Sequence, residues 1–225
     1  MSRPLMVFAA GLGTRMGPLT AERPKPLVEV AGRALIDHAL ALAEAAGASP
    51  VVVNTHYRAG QLAAHLHGRP VRLSPEPELL DTGGGLKAAL PLLGSGPVLT
   101  LNADAVWTGP NPLLTLCAAW RPGMEALLLL LPAVQARGRV GGGDFRMDAE
   151  GRLARGGELV YLGAQLLDPS RLAEIEPRVF SLNLFWDAVA ARGRLYGVRH
   201  PGGWCDVGHP GGIVEAEAML AQATR

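Results

Sequence analysis

The sequence has no marked excess of either charge. Its 21 lysine and arginine residues balance 20 aspartate and glutamate residues, so the formal net charge at pH 7 is +1. Binding to nucleic acid or to an anionic membrane surface generally depends on a large basic surface. The composition therefore predicts neither of these partners, although a few residues can still form a compact anion site.

Cysteine is scarce, and long hydrophobic runs are absent. Cys117 and Cys205 lie far apart in the sequence and cannot make a disulfide framework or a zinc site by themselves. The apolar run 126–131 is far too short to span a bilayer, and residues 1–10 have no signal-peptide pattern. We therefore expect a cytoplasmic protein.

The order of apolar segments predicts the fold class. With 48% hydrophobic residues, the 225-residue chain can bury a substantial core, and its length fits a single domain, 1–225. The first part alternates in pattern, with strands at 5–10, 51–53 and 71–73 and helices at 34–46 and 59–66. Such alternation predicts an α/β fold with a parallel sheet, whose sites lie beyond the carboxyl ends of the strands.

A glycine-rich loop follows the first predicted strand. Gly11 and Gly13 allow a tight turn whose backbone N–H groups can face phosphate oxygens. Arg15 adds a planar cation suited to phosphate, and Lys25, set between two prolines, adds a compact charge. The loop lacks the Gly-Lys-Ser/Thr ending of a Walker A motif and the spacing of a dinucleotide fingerprint. We interpret it as a phosphate-binding loop.

Two aspartates follow separate segments. Asp104 comes just after the buried strand 98–101, and Asp206 lies in the motif Trp-x-Asp-Val-Gly-x-Pro at 204–210. A carboxylate at the end of a buried strand can hold a hard cation through oxygen, although aspartate also commonly opens turns. The strand-end position thus makes Asp104 a candidate metal ligand.

These motifs resemble the signature of the sugar-1-phosphate nucleotidylyltransferases. The matching parts are Gly-x-Gly-Thr-Arg-Met-x-Pro-Leu-Thr at 11–20, Pro-Lys-Pro-Leu at 24–27 and the 204–210 motif. Ala103 and His209 stand where the family usually has glycine and threonine, and the family's common Glu-Lys-Pro motif is missing. The resemblance implies a Rossmann-like three-layer αβα sandwich with a mixed, mainly parallel sheet. We expect the Gly- and Arg-rich residues 136–166 to form a small antiparallel flap on the sugar side.

The resemblance also implies roles for individual residues. Arg15 and Lys25 would be catalytic, and Asp104 and Asp206 would bind Mg²⁺. Three glycines, 83–85, precede the predicted helix 86–93 and would let a flat base approach. The nucleotide would be bound by Gly11, Gly13, Thr14, Arg15, Lys25, Glu76 and Gly84, and the sugar by Asn102, Asp144 and Gly163.

Within the family, four features resemble the N-acetylmuramate α-1-phosphate uridylyltransferases. They are Ser-Pro-Glu at 74–76, the runs 81–86 and 89–94, Gly-Asp-Phe-Arg at 143–146, and the length. This implies transfer from UTP to N-acetylmuramate α-1-phosphate, giving pyrophosphate, in peptidoglycan recycling by a monomer or small homo-oligomer. The acceptor's lactyl carboxylate calls for a cation in its pocket, which the arginine-rich flap could supply, although a solvated surface stretch could have the same composition. The flap arginines are Arg137, Arg139, Arg146, Arg152 and Arg155.

Other functions remain open at this point. The Glu76 carboxylate can accept the N3–H of uracil, but it can equally accept two donors of guanine, so a mannose- or heptose-1-phosphate guanylyltransferase is an alternative. A cytidylyl- or molybdopterin-type transferase shares the glycine loop but lacks the two other motifs. A non-catalytic nucleotide-sugar sensor could use the same fold, since fold alone does not determine function.

Overall fold

The computed structural model describes residues 2–223. Short 3₁₀ helices cover Thr14–Thr20, Lys25–Leu27, Ala133–Gln135 and Pro169–Glu174. The strands and α-helices follow in the order β1 (Leu5–Phe8), β2 (Glu29–Val30), β3 (Arg33–Ala34), α1 (Leu35–Ala45), β4 (Val51–Thr55), α2 (Ala59–Leu66), β5 (Arg72–Pro75), α3 (Asp81–Leu93), β6 (Val98–Asn102), β7 (Ala105–Trp107), α4 (Pro112–Ala119), β8 (Ala126–Pro132), β9 (Phe145–Met147), β10 (Leu153–Arg155), β11 (Leu159–Leu167), α5 (Leu182–Ala190), β12 (Leu195–Arg199), β13 (Trp204–Asp206) and α6 (Pro210–Ala223).

The central sheet is mixed and mainly parallel, as predicted. Its main strands lie in the order β12-β8-β11-β6-β1-β4-β5, and β9 and β10 extend it beside β11. The pairs β6–β1, β1–β4, β4–β5 and β8–β12 are parallel, whereas β11 runs antiparallel to both β6 and β8. The predicted α/β class is therefore confirmed.

Helices cover both faces of this sheet because successive strand residues point to opposite sides. Val7 packs with the side chains of α1, α2 and α4, whereas Met6 packs with those of α3 and α5. A third, smaller apolar cluster joins Met16 of the glycine loop to Val106, Val207 and α6. This cluster fixes the glycine loop against β7 and β13, which carry the sequence around the two aspartates.

The three glycines at 83–85 lie inside α3 and not in a loop before it. The helix begins at Asp81, and the backbone N–H groups of Gly83 and Gly84 both donate to the carbonyl oxygen of Phe180 at 2.9 and 3.0 Å. These donors are therefore engaged by the chain itself. The expectation that the glycines would precede the helix and leave its N–H groups open to a ligand was wrong.

The predicted flap also ends earlier than residue 166. Strand β11 is a full member of the central sheet, because its apolar residues are buried between β6 and β8. Outside the main strands there remains a short hairpin of β9 and β10, attached to β11 at one residue pair, Phe145 and Leu159. The antiparallel pair of β7 with β13 was not predicted. None of the helices within residues 2–223 has the length and apolar character that crossing a bilayer requires.

Candidate active site

The carboxyl ends of three parallel strands bring the predicted residues together. The glycine loop follows β1, while Asn54 and Asn102 lie at the ends of β4 and β6. Phe8 and Asn102 are directly paired in register, so both strands end at the same edge of the sheet. The site therefore forms at the edge that the alternating pattern predicts.

The glycine loop and Lys25 fit closely. Gly13 adopts φ +66°, the left-handed region, and a Cβ there would lie 2.9 Å from the Lys25 Cβ. Any other residue would be strained in its backbone and would displace the lysine. The side chain of Thr20 donates to the Gly13 carbonyl at 3.0 Å and closes the loop. Gly13 thus brings the loop next to Lys25, whereas Thr14 is exposed at the start of the 3₁₀ segment.

Lys25 is itself buried and forms an ion pair with Asp104. Its Nζ donates to Asp104 Oδ2 at 2.8 Å. Asp206 lies opposite Ala105 in the pairing of β13 with β7, and the backbone N–H of Val207 donates to the Asp104 carbonyl at 2.8 Å. The two aspartates are therefore neighbours, although about a hundred residues separate them in sequence.

The carboxylates influence each other's charge. Burial and, to a smaller extent, the negative charge of Asp104 raise the pKa of Asp206 to about 6. The cations of Lys25, Arg15 and Arg139 oppose this increase in the pKa. The guanidinium group of Arg15 lies close to the Asp206 carboxylate, because both groups pack against Gly208. A Cβ on Gly208 would lie 2.7 Å from Asp206 Oδ2 and 3.2 Å from both terminal Arg15 nitrogens. Arg15, Lys25, Asp104 and Asp206 thus form one charged centre.

This centre suits a hard divalent cation. It offers two neighbouring carboxylates, and their mutual repulsion, which raises the pKa of Asp206, would be relieved by a bound cation. Within residues 2–223, no three or more His, Cys, Asp or Glu side chains gather as a metal cage. Carboxylate oxygens are ligands that Mg²⁺ prefers, with the remaining positions left to water and phosphates.

A cavity of about 350 Å³ lies beside the start of the glycine loop. It is lined by Phe8, Gly11, Asn54, Glu76, Leu79, Asp81, Thr82 and Val179. Gly11 and Glu76, two residues predicted to bind the nucleotide, therefore share one cavity. Its mixed apolar and polar lining is typical of a small-molecule site.

Glu76 also has a role within the chain. Its carboxylate accepts hydrogen bonds from Asn54 Nδ2 at 2.7 Å and from the Leu80 backbone N–H at 3.0 Å. Asn54 in turn accepts from the Ala9 backbone N–H at 2.7 Å. Each carboxylate oxygen can accept a further hydrogen bond. Glu76 is thus held rigidly and can still accept a donor from a base.

The structure places Gly84 away from the cavity lining. It is buried in α3, and a Cβ there would lie 2.3 Å from the backbone carbonyl oxygen of Arg178. Close packing of the chain on itself thus explains a glycine at this position without a ligand. Gly84 is not among the residues that line this cavity, and its role toward the base stays a prediction.

The three residues predicted to bind sugar differ in their surroundings. Gly163 adopts φ +79° at a bulge in β11, and a Cβ there would lie 2.8 to 2.9 Å from side-chain atoms of Asn102. Gly163 thus makes room for Asn102, which lies at the site edge. Asp144 has both oxygens engaged, one by Arg139 at 2.6 Å and the other by the Tyr161 backbone N–H at 2.9 Å. Its predicted direct bond to a sugar therefore competes with two internal bonds.

Comparison with known proteins agrees with this geometry. Residues 5–199 match the family described as MobA-like NTP transferase domain. The chain belongs to this nucleotidyltransferase family. It is 43% identical to the N-acetylmuramate alpha-1-phosphate uridylyltransferase of Caulobacter vibrioides, over 97% of each chain. It is also 33% identical to the protein of that name from Neisseria meningitidis serogroup B, over 95% of this chain and 96% of the relative. The chain is thus similar to two uridylyltransferases over nearly its full length.

A solved structure shares the nucleotidyltransferase fold. The UDP-glucose pyrophosphorylase complexed with UDP-glucose superposes with a TM-score of 0.82 over 100% of both chains, at 17% sequence identity. At this low identity the likeness concerns the fold alone. It agrees with the Rossmann-like architecture that the motifs implied.

The arginines of the predicted flap are not equivalent in this nucleotidyltransferase. Arg139 is the one of the five whose charge lowers the pKa of Asp206. The side chains of the other four have partners of their own: Arg137 contacts Gln222, Arg146 donates to the Arg155 carbonyl, Arg152 pairs with Asp148, and Arg155 pairs with Asp187. We therefore restrict to Arg139 the prediction that a flap arginine meets the acceptor, and it stays a prediction.

Sequence reasoning did not assign a role to Asn54. Its buried side chain links the start of the glycine loop to Glu76, and so positions both. The sequence does contain an indication of this role. Asn54 is a polar residue directly after the apolar run 51–53, and so lies at the same sheet edge as the other site residues. His209, by contrast, donates from Nε2 to the Gly138 carbonyl at 3.0 Å and lies in the loop just before α6.

Proposed function

We propose that the chain catalyses uridylyl transfer from UTP to N-acetylmuramate α-1-phosphate, producing the UDP-sugar and pyrophosphate. The observation that carries the reaction class is the convergence of Lys25, Asp104 and Asp206 beside the glycine loop. The choice of substrates is supported by the names of the two relatives from Caulobacter and Neisseria. We further propose that the enzyme acts in peptidoglycan recycling in the cytoplasm, as a monomer or small homo-oligomer.

The chemistry needs no general base. A phosphate monoester has a second pKa of about 6, so the sugar phosphate is largely ionised at pH 7. One of its oxygens would attack the α-phosphorus of UTP in line, the bond to the β-phosphate oxygen would break, and pyrophosphate would leave. Catalysis then consists of positioning two anions and stabilising the charge of the transition state.

The residues of the charged centre suit these tasks. Lys25 would contact the α-phosphate and the attacking phosphate, since its ammonium group is held at the centre by Asp104. Gly13, Thr14 and Arg15 would hold the triphosphate tail at the exposed side of the loop. The guanidinium group of Arg15 lies beside Asp206 and so at the same centre.

Asp104 and Asp206 would hold the Mg²⁺. Bound there, the ion would neutralise phosphate charge as a Lewis acid. In the chain without it, the cations of Lys25 and Arg15 offset part of the repulsion between the two carboxylates. The carboxylates thus need no third protein ligand, since phosphate oxygens and water can complete the coordination.

The base cavity is compatible with UTP. Glu76 can accept the N3–H of uracil, and its two internal hydrogen bonds fix the direction of its carboxylate. GTP is the main rival, since guanine presents two donors to a carboxylate. Chemistry at this position leaves both bases possible, and the preference for UTP comes from the relatives.

A pyrophosphate-release assay tests the proposal. Each of four NTPs is combined with the 1-phosphates of N-acetylmuramate, N-acetylglucosamine, mannose and heptose, with Mg²⁺ present. We expect the highest kcat/KM for UTP with N-acetylmuramate α-1-phosphate. A preference for GTP with mannose 1-phosphate would replace the proposal by a guanylyltransferase. Binding of nucleotide sugars without any pyrophosphate release would favour a sensor.

A further inference from the structure

Arg139 reaches the charged centre from a different part of the chain than the glycine loop. It lies in the segment between β8 and β9, and the residue before it, Gly138, packs against Asp206, since a Cβ on Gly138 would lie 2.1 Å from the Asp206 carbonyl oxygen. Lys25 and Arg15 come from the segment that would hold the triphosphate. Arg139 is therefore a cation near the same centre that comes from outside the segment assigned to the triphosphate.

The side chain of Arg139 is fixed by Asp144. Its Nη2 donates to Asp144 Oδ1 at 2.6 Å, while Asp144 Oδ2 accepts from the backbone N–H of Tyr161 in β11. The central sheet thus anchors the aspartate, and the aspartate anchors the arginine. An arginine held in one orientation loses less conformational entropy when it binds an anion.

The same guanidinium group keeps unused donors. Nη2 also donates to the Gly142 carbonyl at 3.4 Å, and Nε is buried, whereas within residues 2–223 Nη1 has no hydrogen bond. The side chain remains 28% exposed. A guanidinium group has five N–H donors, and the two on Nη1 can each donate to an oxygen of an anion. Arg139 can therefore bind a second anion while it stays paired with Asp144.

We propose that Arg139 binds an oxyanion of the acceptor and that Asp144 is the residue that positions it. The proposal rests on the proposed function, in which the acceptor carries a phosphate and, in N-acetylmuramate, also a lactyl carboxylate. Both groups offer the same chemistry, a pair of anionic oxygens. Asp144, predicted from the sequence to bind sugar directly, acts on the acceptor through the arginine.

The test uses three variants, Arg139→Gln, Asp144→Asn and, as the matched control, Arg146→Gln. Arg146 lies in the neighbouring strand β9, is exposed, and donates to the Arg155 carbonyl. For each protein, kcat and both KM values are measured with N-acetylmuramate and N-acetylglucosamine 1-phosphates, which differ by the lactyl ether. UTP affinity and thermal stability are measured in parallel, so that a loss of folding is recognised.

We expect Arg139→Gln to raise the KM for the acceptor by about 10- to 100-fold, the worth of a hydrogen bond to a charged group. The KM for UTP should stay unchanged. Asp144→Asn should shift the acceptor KM in the same direction by less, and Arg146→Gln should shift neither KM. A loss confined to N-acetylmuramate identifies the lactyl carboxylate as the partner, and an equal loss on both acceptors identifies the phosphate.

Two results overturn the proposal. One is an unchanged acceptor KM in a folded Arg139→Gln variant, and the other is an equal rise in the KM for UTP. An unchanged acceptor KM in folded Asp144→Asn would overturn the positioning role. Absence of nucleotidyl transfer by the unmodified chain with every acceptor would instead overturn the proposed function, so the two failures can be told apart.

Discussion

The ammonium group of Lys25 donates to the carboxylate of Asp104 over 2.8 Å, across 79 positions of sequence. The lysine side chain is 10% exposed and the aspartate side chain 33%. Before substrates bind, the proposed catalytic cation is therefore paired with a proposed metal ligand. A metal cation that binds Asp104 would compete with Lys25 for the carboxylate, and the lysine would then be free to contact phosphate.

Replacement of Lys25 tests its catalytic role. We expect Lys25→Ala to lower kcat by about 10²- to 10³-fold, the usual cost of removing one electrostatic contact made in the transition state. The sequence has one other lysine, Lys87, whose Nζ donates to the Ile175 carbonyl. Lys87→Ala is the matched control and should keep kcat near that of the unmodified enzyme. A folded Lys25→Ala variant with near-normal kcat would contradict the assignment.

Substitution of the aspartates tests the metal site. Asp104→Asn and Asp206→Asn should each weaken the Mg²⁺ dependence of activity, because each removes a charged oxygen ligand. Asp148→Asn, at an exposed turn far along the chain from both, serves as the control. The measurement is initial rate against Mg²⁺ concentration, with thermal stability recorded alongside. If the Mg²⁺ optimum stayed the same in both variants and only stability fell, the aspartates would be turn residues.

Gly84 tests whether packing or base binding explains the glycine run. In Gly84→Ala the new methyl group would overlap the Arg178 carbonyl oxygen, so we expect a loss of about 1–3 kcal/mol in the free energy of unfolding. In the control Gly60→Ala, in α2, a Cβ meets no atom within 4 Å, and helix propensity predicts a gain of up to about 1 kcal/mol. Urea unfolding measures both. Normal stability with weakened UTP binding in Gly84→Ala would restore the base-binding role.

His200 predicts a pH dependence of stability. It is buried beside Trp107, and burial lowers the pKa of its imidazole, although a hydrogen bond with the Thr108 carbonyl opposes this. A lowered pKa in the folded state means that the unfolded chain binds more protons just below its own pKa of about 6.5. Its contribution to stability is therefore complete above that pH and decreases as the pH falls below it. The free energy of unfolding should decline less steeply between pH 7.5 and 5.5 in His200→Gln than in the unmodified chain, and parallel slopes would count against this account.

Local pattern predicted the parts of the site that depend on strand ends. Gly11, Asn102 and Asp104 follow apolar runs, and parallel strands bring such positions to one edge without further information. Other features depend on which segments meet in space. The antiparallel position of β11 between β6 and β8 cannot be predicted from its own residues. An apolar strand has the same sequence pattern whether it belongs to a flap or to the central sheet. For the same reason, the sequence could not show that Asp144 pairs with Arg139 or that Gly84 packs on Arg178.

One chain of hydrogen bonds has a consequence for substrate selection. Glu76, which lines the base cavity, is bonded to Asn54, and Asn54 is bonded to the backbone of Ala9 where the phosphate loop begins. A base that pushes Glu76 aside would disturb the loop that aligns the triphosphate. We therefore expect an ill-fitting nucleotide to bind with its triphosphate misaligned. The ratio of single-turnover rates for UTP and GTP should then be larger than the ratio of their dissociation constants. Equal single-turnover rates with unequal affinities would show that base and phosphates are sensed independently.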